Sequence, residues 1–211
     1  MNKISKMVKA TIKNMVTTPK VRDQLIHFKH GVNKAAAEKR LKRYPFLNLR
    51  FRTADNKSSY TKGEVTATVY VQPGNTIMEA CGHVGAMAIA APDEHGNFIP
   101  LTADVFFDEK MLRAPDHVKA AIIAHEAAHV LHGDIYRDLT KPFSEEDSLN
   151  AEIAADAYSA SLGHDMAAAL HWLREVYVGN MTQQTLRAMD IRIDALKRRK
   201  NLLIIPKSNA A

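Results

Sequence analysis

The spacing of apolar positions changes along this chain, and each change marks an element. Ile4, Met7, Val8, Ile12, Met15 and Val16 leave one apolar stripe among lysines, which predicts a helix over residues 3–16. Thr18-Pro19 then suits the first turn of a second helix, running through Val21, Leu25, Ile26 and Phe28 with a weak point at Gly31. That helix resumes through Ala35 to Leu41 and stops at Tyr44-Pro45. Residues 53–63 are polar and read as a loop. Val65, Ala67, Val69 and Val71 alternate with Thr66, Thr68 and Tyr70, a strand pattern that Pro73-Gly74-Asn75 ends. The small apolar stretch 83–91, the turn residues Asp93 to Asn97 and the strand-like stretch Phe98 to Phe107 together predict an antiparallel β-hairpin.

The period then turns helical. Pro115 and Asp116 suit a helix start, and Gly133 suits its stop. Val118, Ile122, His125, His129 and His132 form one stripe, apolar at first and rich in imidazole at the end. Between Ala120 and Leu131 the only charged side chain is Glu126. A carboxylate on a helix that is apolar nearly all round needs a compensating cation or an open cleft beside it. A polar segment, 134–144, separates this helix from the next, predicted over about Glu145 to Leu162. Two more follow Gly163, at about Asp165–Val178 and Thr182–Lys200.

Charge changes this picture at the N-terminal end. Residues 1–62 carry 16 Lys/Arg against Asp23, Glu38 and Asp55, a net of +13, while the other 149 residues hold 13 basic and 20 acidic groups, a net of −7. The division suggests a basic, mainly helical N-terminal segment, 1–62, and a main domain, 63–211. The basic segment reads as a solvated helical face, with a polyanion or an acidic partner as the alternative occupants. The single cysteine, Cys81, excludes an intramolecular disulfide and reads as a small buried hydrophobe, which suits a reducing, cytoplasmic compartment. No apolar run approaches the ~18 residues of a membrane span. The first residues lack a secretory signal's continuous apolar core.

The candidate chemistry sits in His125-Glu126-Ala127-Ala128-His129. Four residues apart on a helix, the two imidazoles share a face and can hold one divalent ion, with Glu126 able to reach a water on it. A catalytic zinc site needs a third protein ligand. The metzincin pattern would supply a histidine six residues past His129, but that position is Ile135. Asn150 to Asp156 offers instead Glu152, 23 residues past His129, and Asp156 one turn further on. One carboxylate of such a pair can bind the ion while the other fixes a ligand histidine's tautomer. His83 and His95 are isolated and read as structural or solvated. His132 lines the cleft or the helix end rather than completing the ligand set.

At these residues the chain resembles the gluzincin metallopeptidases. His125 to Asp134 with Ala151 to Leu162 is most similar to the soluble ImmA/IrrE type, and it resembles the zinc endopeptidases of the CAAX-processing group. The resemblance covers roughly Val105 to Leu162. It implies an α+β, zincin-like fold: a small antiparallel sheet packed on the histidine-bearing helix, with additional N- and C-terminal helices. It implies one Zn2+ held by His125, His129 and Glu152, Glu126 as general base, Asp156 behind a ligand, and hydrolysis of a protein or peptide substrate. Donors for the oxyanion would come from among His164, His171, Tyr158, Arg174, Tyr177 and Arg192. The alternative function is an inactive scaffold that binds a polyanion or protein through its basic segment.

Overall fold

The computed structural model describes residues 24–33, 52–53, 62–92, 98–136 and 144–203. The expected helix over 3–16, the continuation over 35–41, and His95 lie outside the described residues. The described chain is α+β. It resolves into two compact units: Met1–Ala114 with Glu126–Pro142, and Pro115–His125 with Phe143–Ala211.

The first unit is built on a five-stranded sheet. Its strands are β1 (Gln24–Asn33), β2 (Arg52–Thr53), β3 (Lys62–Pro73), β4 (Ala86–Pro92) and β5 (Phe98–Phe107). The order is β1-β3-β5-β4, and β2 also pairs with β3. Two sequence expectations are corrected here. Residues 24–33 form a strand, not the helix expected through Leu25, Ile26 and Phe28. Ile26, Phe28 and Val32 stand opposite Val69, Ala67 and Gly63 of β3, so alternation at period two, paired along ten residues, overrides the helical reading. The sheet is also mixed, not antiparallel. β4 and β5 form the expected antiparallel pair, but β3 and β5 run parallel, with Thr68 opposite Thr102 and Val71 opposite Val105. β4 occupies the edge, and the chain returns from it to lay β5 beside β3.

A helix the sequence reading passed over, α1 (Asn75–Cys81), follows β3. Its Ile77 and Met78 pack with Phe106, and Met87 and Ile89 lie against this cluster. Gly74 makes the junction possible: a Cβ there would lie 2.6 Å from Phe106 Cβ. Asp108 ties the end of β5 to the start of β4. Its Oδ2 accepts from Gly85 N at 2.8 Å, while Oδ1 caps α2 (Glu109–Leu112) by accepting from Met111 N at 2.8 Å.

The long helix α3 (Asp116–His132) has the predicted start and stop. Gly133, at φ 82°, turns the chain out of it. Val118, Ala121, Ile122, Ile123, Ala124, Ala127, Ala128, Val130 and Leu131 are all buried, which is why so many positions are alanine or branched aliphatic. Glu126 is half-buried, as its charge demands.

In the second unit α4 (Glu145–Ser161), α5 (Met166–Tyr177) and α6 (Gln183–Leu203) follow the predicted helices closely. Each start is capped. Ser144 Oγ accepts from Asp147 N at 3.0 Å, Asp165 Oδ1 from Ala168 N at 3.0 Å, and Thr182 Oγ1 from Thr185 N at 3.1 Å. Acidic Glu145, Glu146 and Asp147 add to the first turn of α4. Ala155, Tyr158, Met166, Leu170, Tyr177, Met189 and Ile193 supply the apolar core. Ser159, fully buried, donates to the carbonyl of Ala121 at 2.8 Å and so fixes α4 beside the first turns of α3. No described helix is long and apolar enough to cross a membrane.

Candidate metal centre

Helix α3 sets His125 and His129 one turn apart, and α4 sets Glu152 and Asp156 one turn apart. His125 is 4 % exposed and meets both carboxylates. Its Nδ1 lies 2.8 Å from Asp156 Oδ1 and its Nε2 3.3 Å from Glu152 Oε2. His125, His129 and Glu152 each offer one ligand atom, and these atoms all lie within 4.8 Å of one another. Such a group of two imidazoles and one carboxylate could hold a metal ion.

Each histidine also has a carboxylate on Nδ1. Asp156 takes this place for His125, and Asp134, in the turn after Gly133, takes it for His129 at 3.0 Å. A carboxylate beside Nδ1 favours a proton on that nitrogen and leaves Nε2 as the atom that could meet a cation. Asp156, read from the sequence as the carboxylate behind a ligand histidine, lies beside the His125 ring. Asp134 was missed, although its signal was legible: an acid directly after the helix-stopping glycine, five residues past a candidate ligand.

Arg192 of α6 completes the cluster. It donates from Nε and Nη2 to the two oxygens of Asp156, both at 2.7 Å, and its Nη1 lies 2.9 Å from Glu152 Oε2. Of the six residues proposed as oxyanion donors, Arg192 is thus drawn into the site, but as a partner of carboxylates. Arg174 pairs with Asp190, and Tyr177 is buried edge-on to Trp172. Tyr158 is buried in α4, His164 is half-buried and His171 is exposed. Glu126 lies between the two histidines in the chain, and His132 is half-buried at the end of α3.

The electrostatics follow from this packing. Burial pushes the His125 imidazole down, but the hydrogen bonds to Asp156 and Glu152 outweigh it and raise the pKa to about 10. Burial pushes Asp156 up, yet Arg192 and then His125 hold it below the usual carboxylate range. Without a cation beside it, the His125 ring would therefore carry two protons at neutral pH. The sign of the pH dependence is fixed by these directions. The contribution from His125 is fully present below about pH 6.5, the ordinary histidine value, and is lost as pH rises to about 10. The contribution from Asp156 is present above its ordinary 3.8 and is lost as pH falls through its lowered value. Chelator-treated protein should therefore show a thermal midpoint that falls between pH 6.5 and 10. Added zinc should flatten that fall, because coordination displaces the same proton. A midpoint that does not change over this range in chelator would contradict the pairing.

Compared with protein-family models, characterised protein sequences and solved structures, the chain has no match in any of the three.

Proposed function

We propose that this protein is a zinc-dependent endopeptidase of the gluzincin type, with His125, His129 and Glu152 as the metal ligands. The observation that carries this reading is the convergence of two imidazoles from one helix and a carboxylate from another, their ligand atoms within 4.8 Å. The support extends to the partners of the ligands, since each histidine has a carboxylate beside Nδ1, one of the usual partners of a coordinating imidazole. The donor set is compatible with zinc by its chemistry: imidazole suits Zn, Cu, Fe and Ni, whereas all-oxygen sets suit Mg and Ca.

When bound, a divalent ion supplies Lewis acidity, acidifying water and polarising a carbonyl. The chain's own residues do the rest. Glu126 sits between the two ligand positions in sequence and is half-buried, open enough to meet a water molecule. It takes the proton from the attacking water and returns it to the departing amine, so that one carboxylate serves as base and then as acid. Asp156 and Asp134 hold the two imidazoles in the tautomer that presents Nε2. The half-exposed position of Glu152 suits a site that admits a substrate chain.

The test is hydrolysis of an unfolded protein substrate such as reduced casein. Cleavage that is abolished by a chelator and restored by stoichiometric zinc supports the reading. Absence of cleavage in zinc-loaded protein, or cleavage indifferent to the chelator, contradicts it.

A further inference from the structure

The two carboxylates of α4 share one guanidinium. Arg192 engages both oxygens of Asp156 through Nε and Nη2 at 2.7 Å and reaches Glu152 Oε2 through Nη1 at 2.9 Å. That same Oε2 faces His125 Nε2 at 3.3 Å, and Asp156 Oδ1 faces Nδ1 of the same ring at 2.8 Å. Imidazole, Asp156, guanidinium and Glu152 thus form one closed circuit of ionic contacts. It is largely sheltered, with the Arg192 side chain 13 % exposed and that of Asp156 1 %.

A guanidinium has five N–H donors in a rigid plane, so one arginine can fix two carboxylates in a set relation where a lysine offers a single point of charge. Glu152 needs such a constraint. Its side chain is 35 % exposed and has open directions in which to turn to water. The charge of Arg192 opposes a cation, so attraction of the ion is not its contribution. Order, rather than charge, is what the arginine adds.

We propose that Arg192 is a positioning residue for metal uptake: it holds Glu152 towards His125 and Asp156 against the far side of the same ring, so that the third ligand is in place before the cation arrives. This inference rests on the reading of His125, His129 and Glu152 as a metal centre. It assigns a task to a residue 36 positions from Asp156 in the chain.

The test uses full-length wild type, Arg192→Met and Arg192→Lys, with Co2+ absorption spectra and zinc affinity from chelator competition as readouts. Neither readout depends on catalysis. Loss of a group that orients ligands weakens metal binding by about 10–100-fold. Arg192→Met should lose this much and show an altered Co2+ ligand-field spectrum, because Glu152 no longer holds its angle. Arg192→Lys should recover only part of the affinity, since a single ammonium cannot serve both carboxylates. Should Arg192→Met fail to fold, by circular dichroism, Arg192→Lys alone decides, with a loss of about tenfold expected. Wild-type affinity and spectrum in Arg192→Lys, or in a folded Arg192→Met, overturn this inference while leaving the metal centre standing. A wild type that takes up neither Co2+ nor Zn2+ overturns the metal centre itself, and this inference with it.

Discussion

Glu126→Gln is expected to keep its zinc and lose its hydrolytic activity. Glutamine preserves the shape of the side chain on α3 and leaves His125, His129 and Glu152 untouched, so the metal content should match wild type. What disappears is the proton acceptor. A positioned general base contributes about 10²–10⁴-fold to a rate, so turnover in Glu126→Gln should fall by at least 100-fold. The loss should appear in kcat with KM little changed, because an interaction made only while protons move does not contribute to substrate binding. A variant that holds zinc and cleaves at the wild-type rate would remove Glu126 from the mechanism.

The second large effect is expected at Asp156. Its carboxylate is 1 % exposed and stands between His125 and Arg192. Asp156→Ala leaves a buried guanidinium and imidazole with Glu152 as their remaining carboxylate in the circuit. Removing one partner of a buried ionic network costs about 3–5 kcal/mol, and the lower end applies here because His125 can shed its proton. Urea unfolding of chelator-treated wild type and variant measures this directly. The variant should also bind zinc about 10–100-fold more weakly, because nothing fixes the tautomer of His125. Unfolding free energies that coincide would show the network to be without structural weight.

The helices around the site were legible because their signals are local. Gly133 after His132 and the polar segment 134–144 before Glu145 mark ends that the folded chain keeps. Glu152 and Asp156 were legible for the same reason, since their spacing is a property of α4 alone. β1 was not legible. Leu25, Ile26 and Phe28 fit a helical stripe as well as an alternating strand, and pairing with β3, some forty residues away, decides between them. The parallel pairing of β3 with β5 depends on where β4 is placed in the sheet, which no local pattern encodes. Arg192 was named among the possible oxyanion donors, but its carboxylate partners lie 36 and 40 residues back, and only folding brings α6 to α4. Asp134 was within reach of local reasoning, because a glycine in the left-handed region at the end of α3 turns the next residue back towards the last turn.

If two imidazoles and Glu152 hold one cation, metal content per chain will report it. Wild type and Glu152→Ala would be loaded with zinc, desalted and assayed by elemental mass spectrometry alongside protein concentration. Close to one zinc per wild-type chain and near none in Glu152→Ala is expected, with both proteins folded. A wild type that retains no zinc, or a Glu152→Ala variant that retains it in full, would rule out this three-ligand site.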